Sequence, residues 1–104
     1  MKLVTLDWEQ PFVIRSFRHR GLRRLFVKDD RSAVGANMID AVERILATLD
    51  QAATLDGIDL PRYRLHPLKG NLEGFWAVTV RANWRITFRF VDGDAWEVDL
   101  VDYH

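Results

Sequence analysis

Residues 65–104 read LHPLKGNLEGFWAVTVRANWRITFRFVDGDAWEVDLVDYH, and the pattern of this stretch decides the fold. Apolar and polar side chains alternate with period two, which is typical of half-buried β-strands. Turn residues interrupt the alternation at Ala82-Asn83 and at Asp92-Gly93-Asp94, which predicts antiparallel hairpins. The predicted apolar face contains Trp76, Val78, Val80, Ile86, Phe88, Phe90, Trp96, Val98 and Leu100. The predicted polar face contains Ala77, Thr79, Arg81, Arg85, Thr87, Arg89, Glu97 and Asp99.

Matching like residues across the hairpins predicts a register. A three-residue loop in each hairpin places Arg89 opposite Glu97 and Arg81 opposite Arg85. The first pair is an expected cross-strand ion pair, whereas the second is a repulsion that costs some tenths of a kcal/mol. A cost without a visible structural gain suggests that an anion binds between Arg81 and Arg85.

The same register brings the end of the chain towards these two arginines. Asp102, Tyr103 and His104 are expected beside the turn that contains Trp84. The residues alone leave two interpretations open. The arginines form an anion site with these side chains, or they are ordinary solvated residues beside a frayed terminus, which is the commoner situation.

Upstream of the sheet, the pattern predicts one strand and two helices. Residues 12–17 combine β-branched and aromatic side chains, which favours a strand. Apolar residues recur at three- and four-residue spacing after Gly21, which predicts a short helix with its basic residues facing outward. The same spacing predicts a longer helix over about residues 37–49, with Asn37 as its N-cap.

These elements predict an α+β fold. Their order is strand, helix, helix and then three or four antiparallel strands, the first of the last group over residues 62–66, with both helices packed on one sheet face. The chain of 104 residues is long enough for a single core. We expect one domain over residues 12–104, preceded by an N-terminal extension over residues 1–11.

Composition excludes several classes of protein. The chain has no cysteine, which excludes disulfide scaffolds and cysteine nucleophiles and favours a reducing compartment. Neither a signal peptide nor a membrane span is apparent, so we expect a cytoplasmic protein without membrane contact. His19, His66 and His104 lack metal-ligand spacing, so no metal and no cofactor are expected. The 15 basic and 15 acidic residues form alternating blocks, which is compatible with a local patch for a polyanion.

Four sequence motifs carry a family resemblance. They are FRHRGL at residues 17–22, LHPLKG at residues 65–70, VRANWRITF at residues 80–88, and the ending GDA at residues 93–95 with DYH at residues 102–104. In this order and spacing they closely resemble HigB-type toxins of the RelE/ParE superfamily of bacterial toxin–antitoxin systems. The resemblance spans nearly the whole chain and leaves out only the N-terminal extension.

The resemblance implies a RelE-like fold and a ribosome-dependent endoribonuclease, which enters the decoding site and cuts messenger RNA during translation. It also implies a HigA-type antitoxin with a helix-turn-helix domain, through which alone the toxin reaches operator DNA. By resemblance, the RNA-binding positions are Arg81 and Asn83. The catalytic positions implied in the same way are His66, Lys69, Arg85, Asp102, Tyr103 and His104.

The implied reaction suits these residue types. Attack by the ribose 2′-hydroxyl needs a base, an acid for the leaving 5′-oxygen and stabilisation of a charged phosphorane. His66 and His104 suit the proton transfers, and which of them is the acid stays open. Lys69, Arg81 and Arg85 suit the stabilisation of phosphate charge.

One expectation conflicts with a simple hairpin. If residues 62–66 pair with the strand that ends at Arg81, Lys69 falls in the connecting loop, roughly 20 Å from Arg81 by strand rise. The roles of His66 and Lys69 therefore rest on the resemblance alone.

Two other functions are compatible with the same fold. One is a non-enzymatic inhibitor of the ParE type, which binds DNA gyrase and has no need of proton-transfer residues. The other is a degenerate toxin that acts only in a repressor complex with its antitoxin.

Overall fold

A four-stranded antiparallel sheet with two α-helices on one face forms the body of the protein. The structure, a computed structural model, describes residues 13–103, so predictions about residues 1–12 and His104 lie outside the described residues. The helices are α1 (Arg20–Lys28) and α2 (Ile39–Asp50). The strands, in the spatial order β1-β2-β3-β4, are β1 (His66–Pro67), β2 (Phe75–Arg81), β3 (Trp84–Val91) and β4 (Asp94–Asp102). The predicted α+β fold is confirmed.

The core lies between the helices and one face of the sheet. Val78, Ile86, Phe88 and Val98 are completely buried there, as the alternation predicts. On the helical side, fully buried residues come mainly from α2 and α1 and include Leu22, Val42, Ile45, Leu46 and Leu49. Trp96 is the exception among the predicted core residues, because 40 % of its surface is exposed.

The predicted strand over residues 12–17 is only partly correct. The segment runs parallel to β4 and makes two isolated bridges, Ile14 with Ala95 and Phe17 with Val98. Between these bridges Glu97 takes a left-handed conformation with φ 55°, and its N–H donates to the hydroxyl oxygen of Ser16 at 2.8 Å. This local kink in β4 interrupts the ladder, so a continuous strand does not form.

Both predicted helices are present, but their N-terminal ends differ from the prediction. Asn37 is not an N-cap, because α2 begins at Ile39 after Met38, whose N–H donates to the carbonyl of Gly35 at 2.8 Å. Asn37 thus stays in the turn that precedes the helix. α1 is capped by His19, whose Nδ1 accepts a hydrogen bond from the N–H of Leu22 at 3.1 Å.

The predicted strand over residues 62–66 is wrong in its position. Pro61–Tyr63 forms a 3₁₀ turn that buries Tyr63, and Arg64 ends it in a left-handed conformation with φ 52°. Pairing with β2 begins only at His66, which lies opposite Ala77. His66 therefore pairs with the middle of β2 and not with its end.

The register between β2 and β3 differs by two residues from the prediction. Val78 lies opposite Ile86 and Thr79 opposite Arg85, joined by a two-residue turn, and the left-handed residue of that turn is Ala82 (φ 47°). A two-residue shift leaves every side chain on its predicted face up to the bulge between Thr79 and Arg81, so alternation alone does not detect it.

The register between β3 and β4 is correct at one end and shifted at the other. Ile86 lies opposite Leu100, as predicted. Beyond a bulge, Arg89 lies opposite Trp96, so Glu97 is a diagonal neighbour. The predicted ion pair still forms, with 3.3 Å between Nη1 of Arg89 and Oε2 of Glu97.

Removal of the His19 cap at the start of α1 is expected to lower the stability of the protein measurably. We expect His19→Ala to lower the free energy of unfolding by about 1 kcal/mol, because the N–H of Leu22 loses its acceptor. His19→Asn supplies a side-chain oxygen in its place and is expected to stay near the wild type. Urea unfolding of the three proteins measures the difference, and equal stability of all three would exclude a capping role for His19.

Candidate active site

The face of the sheet that points away from the helices, here called the open face, carries three rows of side chains across the strands. Pairing register defines each row. The first row holds Phe75, Arg89 and Trp96. The second holds His66, Ala77, Thr87 and Asp99. The third holds Thr79, Arg85 and Val101.

The centre of the open face is a floor of small side chains. Ala77 is completely buried and Thr87 is 6 % exposed, although the helices lie on the other side of the sheet. Longer side chains of the neighbouring rows must therefore close over them.

His66 lies on the edge strand beside this floor. Its Nδ1 is 2.9 Å from the carbonyl oxygen of Arg64, and since a carbonyl only accepts, Nδ1 carries the proton. In the neutral ring Nε2 then holds a lone pair and can take up a proton. Strand spacing and rise place His66 about 12 Å from Arg85, Cα to Cα, in the adjacent row. Long side chains can bridge such a distance around one phosphate.

Arg85 is the half-buried cation of the open face. Its Nη1 donates to the carbonyls of Ala82 at 2.7 Å and Trp84 at 3.1 Å, which holds the guanidinium against the turn. Its Nε is buried and has no hydrogen-bond partner within the described part of the chain. An unsatisfied buried donor costs about 1–3 kcal/mol, and a bound oxyanion would remove that cost.

Arg81 does not face Arg85, and this part of the sequence interpretation is wrong. The bulge after Thr79 turns Arg81 to the side of Trp84, with which it is paired. Its Nη1 is 3.4 Å from the carbonyl oxygen of Asn37, beside the start of α2. The two arginines therefore lie on opposite faces at the same end of the sheet, and no repulsion between them exists to be relieved by an anion.

Three other predicted residues meet at this end. The N–H of Tyr103 donates to the carbonyl of Asn83 at 2.7 Å, and Asp102 lies opposite Trp84. Tyr103 continues the open-face side of β4 and is 43 % exposed. The predicted convergence of the chain end on the Ala82-Asn83 turn is thus found for Asp102 and Tyr103, whereas His104 lies outside the described residues.

Lys69 is exposed and lies at the other end of the sheet. The N–H of Leu68 bonds the carbonyl of Phe75, the first residue of β2, so Lys69 follows just beyond the last paired position. The expected separation of Lys69 from Arg81 along the sheet is therefore present, whereas His66 lies in the row next to Arg85. The structure brings together His66 and Arg85 and leaves Lys69 apart from them.

Within residues 13–103, no three His, Asp or Glu side chains converge to hold a metal ion, and no helix is long and apolar enough to cross a membrane. A cavity of about 730 Å³ lies on the helical side, between residues 14–17, α1 and the C-terminal part of α2. None of the predicted site residues lines it.

Sequence reasoning missed one exposed aromatic residue of the open face. Alternation places Trp96 in the core, but the bulge at Glu97 puts Ala95 in the core and turns Trp96 outward. A single sequence carries no clear signal for this bulge, since the left-handed residue is a glutamate and not a glycine.

The architecture is that of a known fold. A solved structure of a YoeB dimer from Staphylococcus aureus has a similar fold, with a TM-score of 0.54 and 15 % sequence identity over 91 % of this chain and 99 % of that chain. At this identity the likeness establishes the RelE-like fold alone. It agrees with the element order and the helix-covered sheet described above.

Sequence comparison narrows the class to a family. The family model of the RelE-like toxin of the type II toxin–antitoxin system HigB matches residues 15–104. The Endoribonuclease HigB of Proteus vulgaris is 47 % identical over 92 residues, which are 88 % of this chain and 100 % of that protein. The chain belongs to the HigB family of RelE-like toxins. A type II toxin acts with an antitoxin partner, so one is implied here too.

The left-handed conformation of Glu97 predicts an unusual response to glycine. Glu97→Ala and Glu97→Gly both remove the exposed ion pair with Arg89, but only glycine relieves the backbone strain. We expect the glycine variant to be more stable than the alanine variant by about 1 kcal/mol. Thermal and urea unfolding of the pair measure this, and a less stable glycine variant would contradict the described backbone.

Proposed function

We propose that this protein is a ribosome-dependent endoribonuclease that cuts messenger RNA in the cytoplasm. The reaction is attack of a ribose 2′-hydroxyl on the adjacent phosphate, with release of the 5′-oxygen. Membership of the HigB family and the name of the Proteus vulgaris relative support the reaction class.

The observation that carries the proposal is the combination of His66 and Arg85 on the open face. Nδ1 of His66 is bonded to the carbonyl oxygen of Arg64, which leaves Nε2 for proton transfer, and Nε of Arg85 is a buried donor without an acceptor among residues 13–103. A phosphate between them would receive a hydrogen bond from Arg85 while His66 exchanges a proton with an attacking or leaving oxygen. Such an arrangement stabilises charge that develops in the transition state more than it stabilises the substrate.

The other members of the proposed site have supporting roles. Tyr103, with Asn83, forms the end of the open face that receives the neighbouring nucleotides, and Asp102 lies at the same end on the side of Trp84. Arg81, on the helical side of this end, and Lys69, at the opposite end, lie away from the phosphate at Arg85, so their role in binding phosphate charge is proposed from the family resemblance alone. His104, as second proton-transfer group, and Lys69 are proposed from the family resemblance. The proposed partners are a HigA-type antitoxin, which alone carries operator binding, and the ribosome with its message.

The gyrase-inhibitor alternative has less support. Its activity needs no proton-transfer residue, whereas the open face carries a histidine in the row next to an arginine whose Nε has no partner among the described residues. A degenerate toxin is the alternative that an activity measurement separates from the proposal.

Removal of the His66 imidazole is expected to slow cleavage strongly. We expect His66→Ala to cut a ribosome-bound message about 10²-fold to 10⁴-fold more slowly than the wild type, because a proton-transfer group is lost. The measurement is the single-turnover cleavage rate of an end-labelled message on purified ribosomes.

His19→Asn is the matched control, since it replaces another histidine while the α1 cap is kept. It is expected to cut at the wild-type rate. Wild-type protein that folds but cuts no message with ribosomes present would refute the nuclease. Unchanged cleavage by His66→Ala would remove His66 from the reaction.

The geometry of the Arg85 guanidinium predicts that a positive charge at this position is not sufficient for cleavage. Arg85→Lys keeps a positive charge but loses the planar fork and its anchoring to Ala82 and Trp84. We expect cleavage to fall about 10²-fold or more with little change in stability. Arg44→Lys on the exposed side of α2 is the matched control and is expected to be neutral. Equal cleavage by both variants would show that Arg85 does not contact the reacting phosphate.

A further inference from the structure

A small depression lies on the open face beyond the candidate active site. Its volume is about 270 Å³, and it is lined by Arg89, Val91, Trp96 and Glu97. Trp96 and Val91 are 40 % and 42 % exposed, so the depression is bordered by unusually exposed apolar surface. The volume approaches the lower end of the range for small-ligand pockets.

The bulge in β4 creates this depression at the cost of backbone strain at Glu97. Regular alternation would bury Trp96, but Glu97 adopts φ 55°, a conformation that disfavours side chains other than glycine. The kink leaves small Ala95 in the core and aims the largest side chain of β4 at solvent. Bulges often re-aim a side chain next to an active site.

The lining fits a nucleobase better than a phosphate. Trp96 offers a flat aromatic surface, which attracts every base because each has a π-face. Arg89 and Glu97 form an ion pair at 3.3 Å, so the local charge is balanced and the carboxylate repels an anion. Arg89 also lies over the ring of Phe75, 6.0 Å from its centroid. Together the pair presents donors and acceptors to the edge of a neutral base.

The depression lies on the same face of the sheet as the candidate active site. Arg89 and Arg85 point to the same side of β3, four residues or about 13 Å apart, with Thr87 between them. Asp99, the acid between the two positions, is turned to its own backbone and accepts the N–H of Leu100 at 2.9 Å. A single strand whose phosphate lies at Arg85 therefore reaches Trp96 within a few nucleotides.

We propose that Trp96 and the Arg89–Glu97 pair hold a nucleobase of single-stranded RNA on the open face, a few nucleotides from the scissile phosphate. This inference rests on the proposed function for the position of the RNA. It assigns a binding role, outside the reacting atoms, to a residue that none of the sequence motifs includes. The base is read mainly by stacking, so preference among bases is weak.

The test couples removal of the tryptophan with removal of single bases. Ribosomes carry a synthetic message in which one nucleotide at a time near the cleavage site lacks its base. Wild type, Trp96→Ala and Trp96→Phe are compared in KM and kcat. We expect Trp96→Ala to raise KM about fivefold or more, with kcat little changed, and Trp96→Phe to restore most of the binding. At one message position, base removal should weaken the wild type and Trp96→Phe but not Trp96→Ala.

Val27→Ala provides the matched control, because Val27 is an exposed apolar residue of α1 on the helical side. Equal KM for wild type and Trp96→Ala at every message position, with both proteins folded, would overturn the proposal.

If the wild type cuts no message, the proposed nuclease activity is refuted, and the affinity of the same two proteins for the programmed ribosomes tests the base site instead. Weaker binding by Trp96→Ala then supports the base site, whereas equal binding overturns it. Loss of a wild-type dimer in the alanine variant, seen by sedimentation, would assign the depression to self-association and also overturn it.

Discussion

Burial of one sheet face beneath the two helices is the constraint on which the rest of the molecule depends. Val78, Ile86, Phe88 and Val98 are completely buried, and each such side chain contributes about 1.5–3 kcal/mol relative to an exposed one. Because side chains alternate along a strand, this burial also determines which residues lie on the opposite face. His66, Arg85 and Trp96 lie together on the open face because the alternate positions of the strands are used to pack against the helices.

Departures from regular strand geometry determine what the open face can do. The bulge before Arg81 moves that arginine to the helical side, so Arg85 is the cation of the third row. The bulge at Glu97 turns Trp96 outward and at the same time interrupts the pairing of β4 with residues 13–18. Both distortions lie in the strands that carry the candidate site. Strain of this kind is commonly retained where it positions functional side chains.

The sequence predicts the fold class and the faces of the sheet because both follow from periodicity. It does not predict the pairing of β2 with β3, since a shift of two residues keeps each side chain on its face and only the turn distinguishes the two registers. The edge strand is misplaced because Arg64 takes a left-handed conformation without being glycine. The bulge at Glu97 is not predicted for the same reason, since Glu97 is also left-handed without being glycine. Five of the candidate site residues lie at the predicted end of the sheet, namely Arg81, Asn83, Arg85, Asp102 and Tyr103, although Arg81 is on the other face from Arg85. The place of His66 depends on pairing that the pattern leaves open.

If the candidate site is the active site, the message lies on the open face and not on the helical side. Photocross-linking on programmed ribosomes tests this most directly, with a benzophenone side chain placed at position 103 in one variant and at position 27 in the other. Both native residues, Tyr103 and Val27, are exposed, on opposite sides of the molecule. We expect labelled message from position 103 and none from position 27. Label from position 27 alone would contradict it.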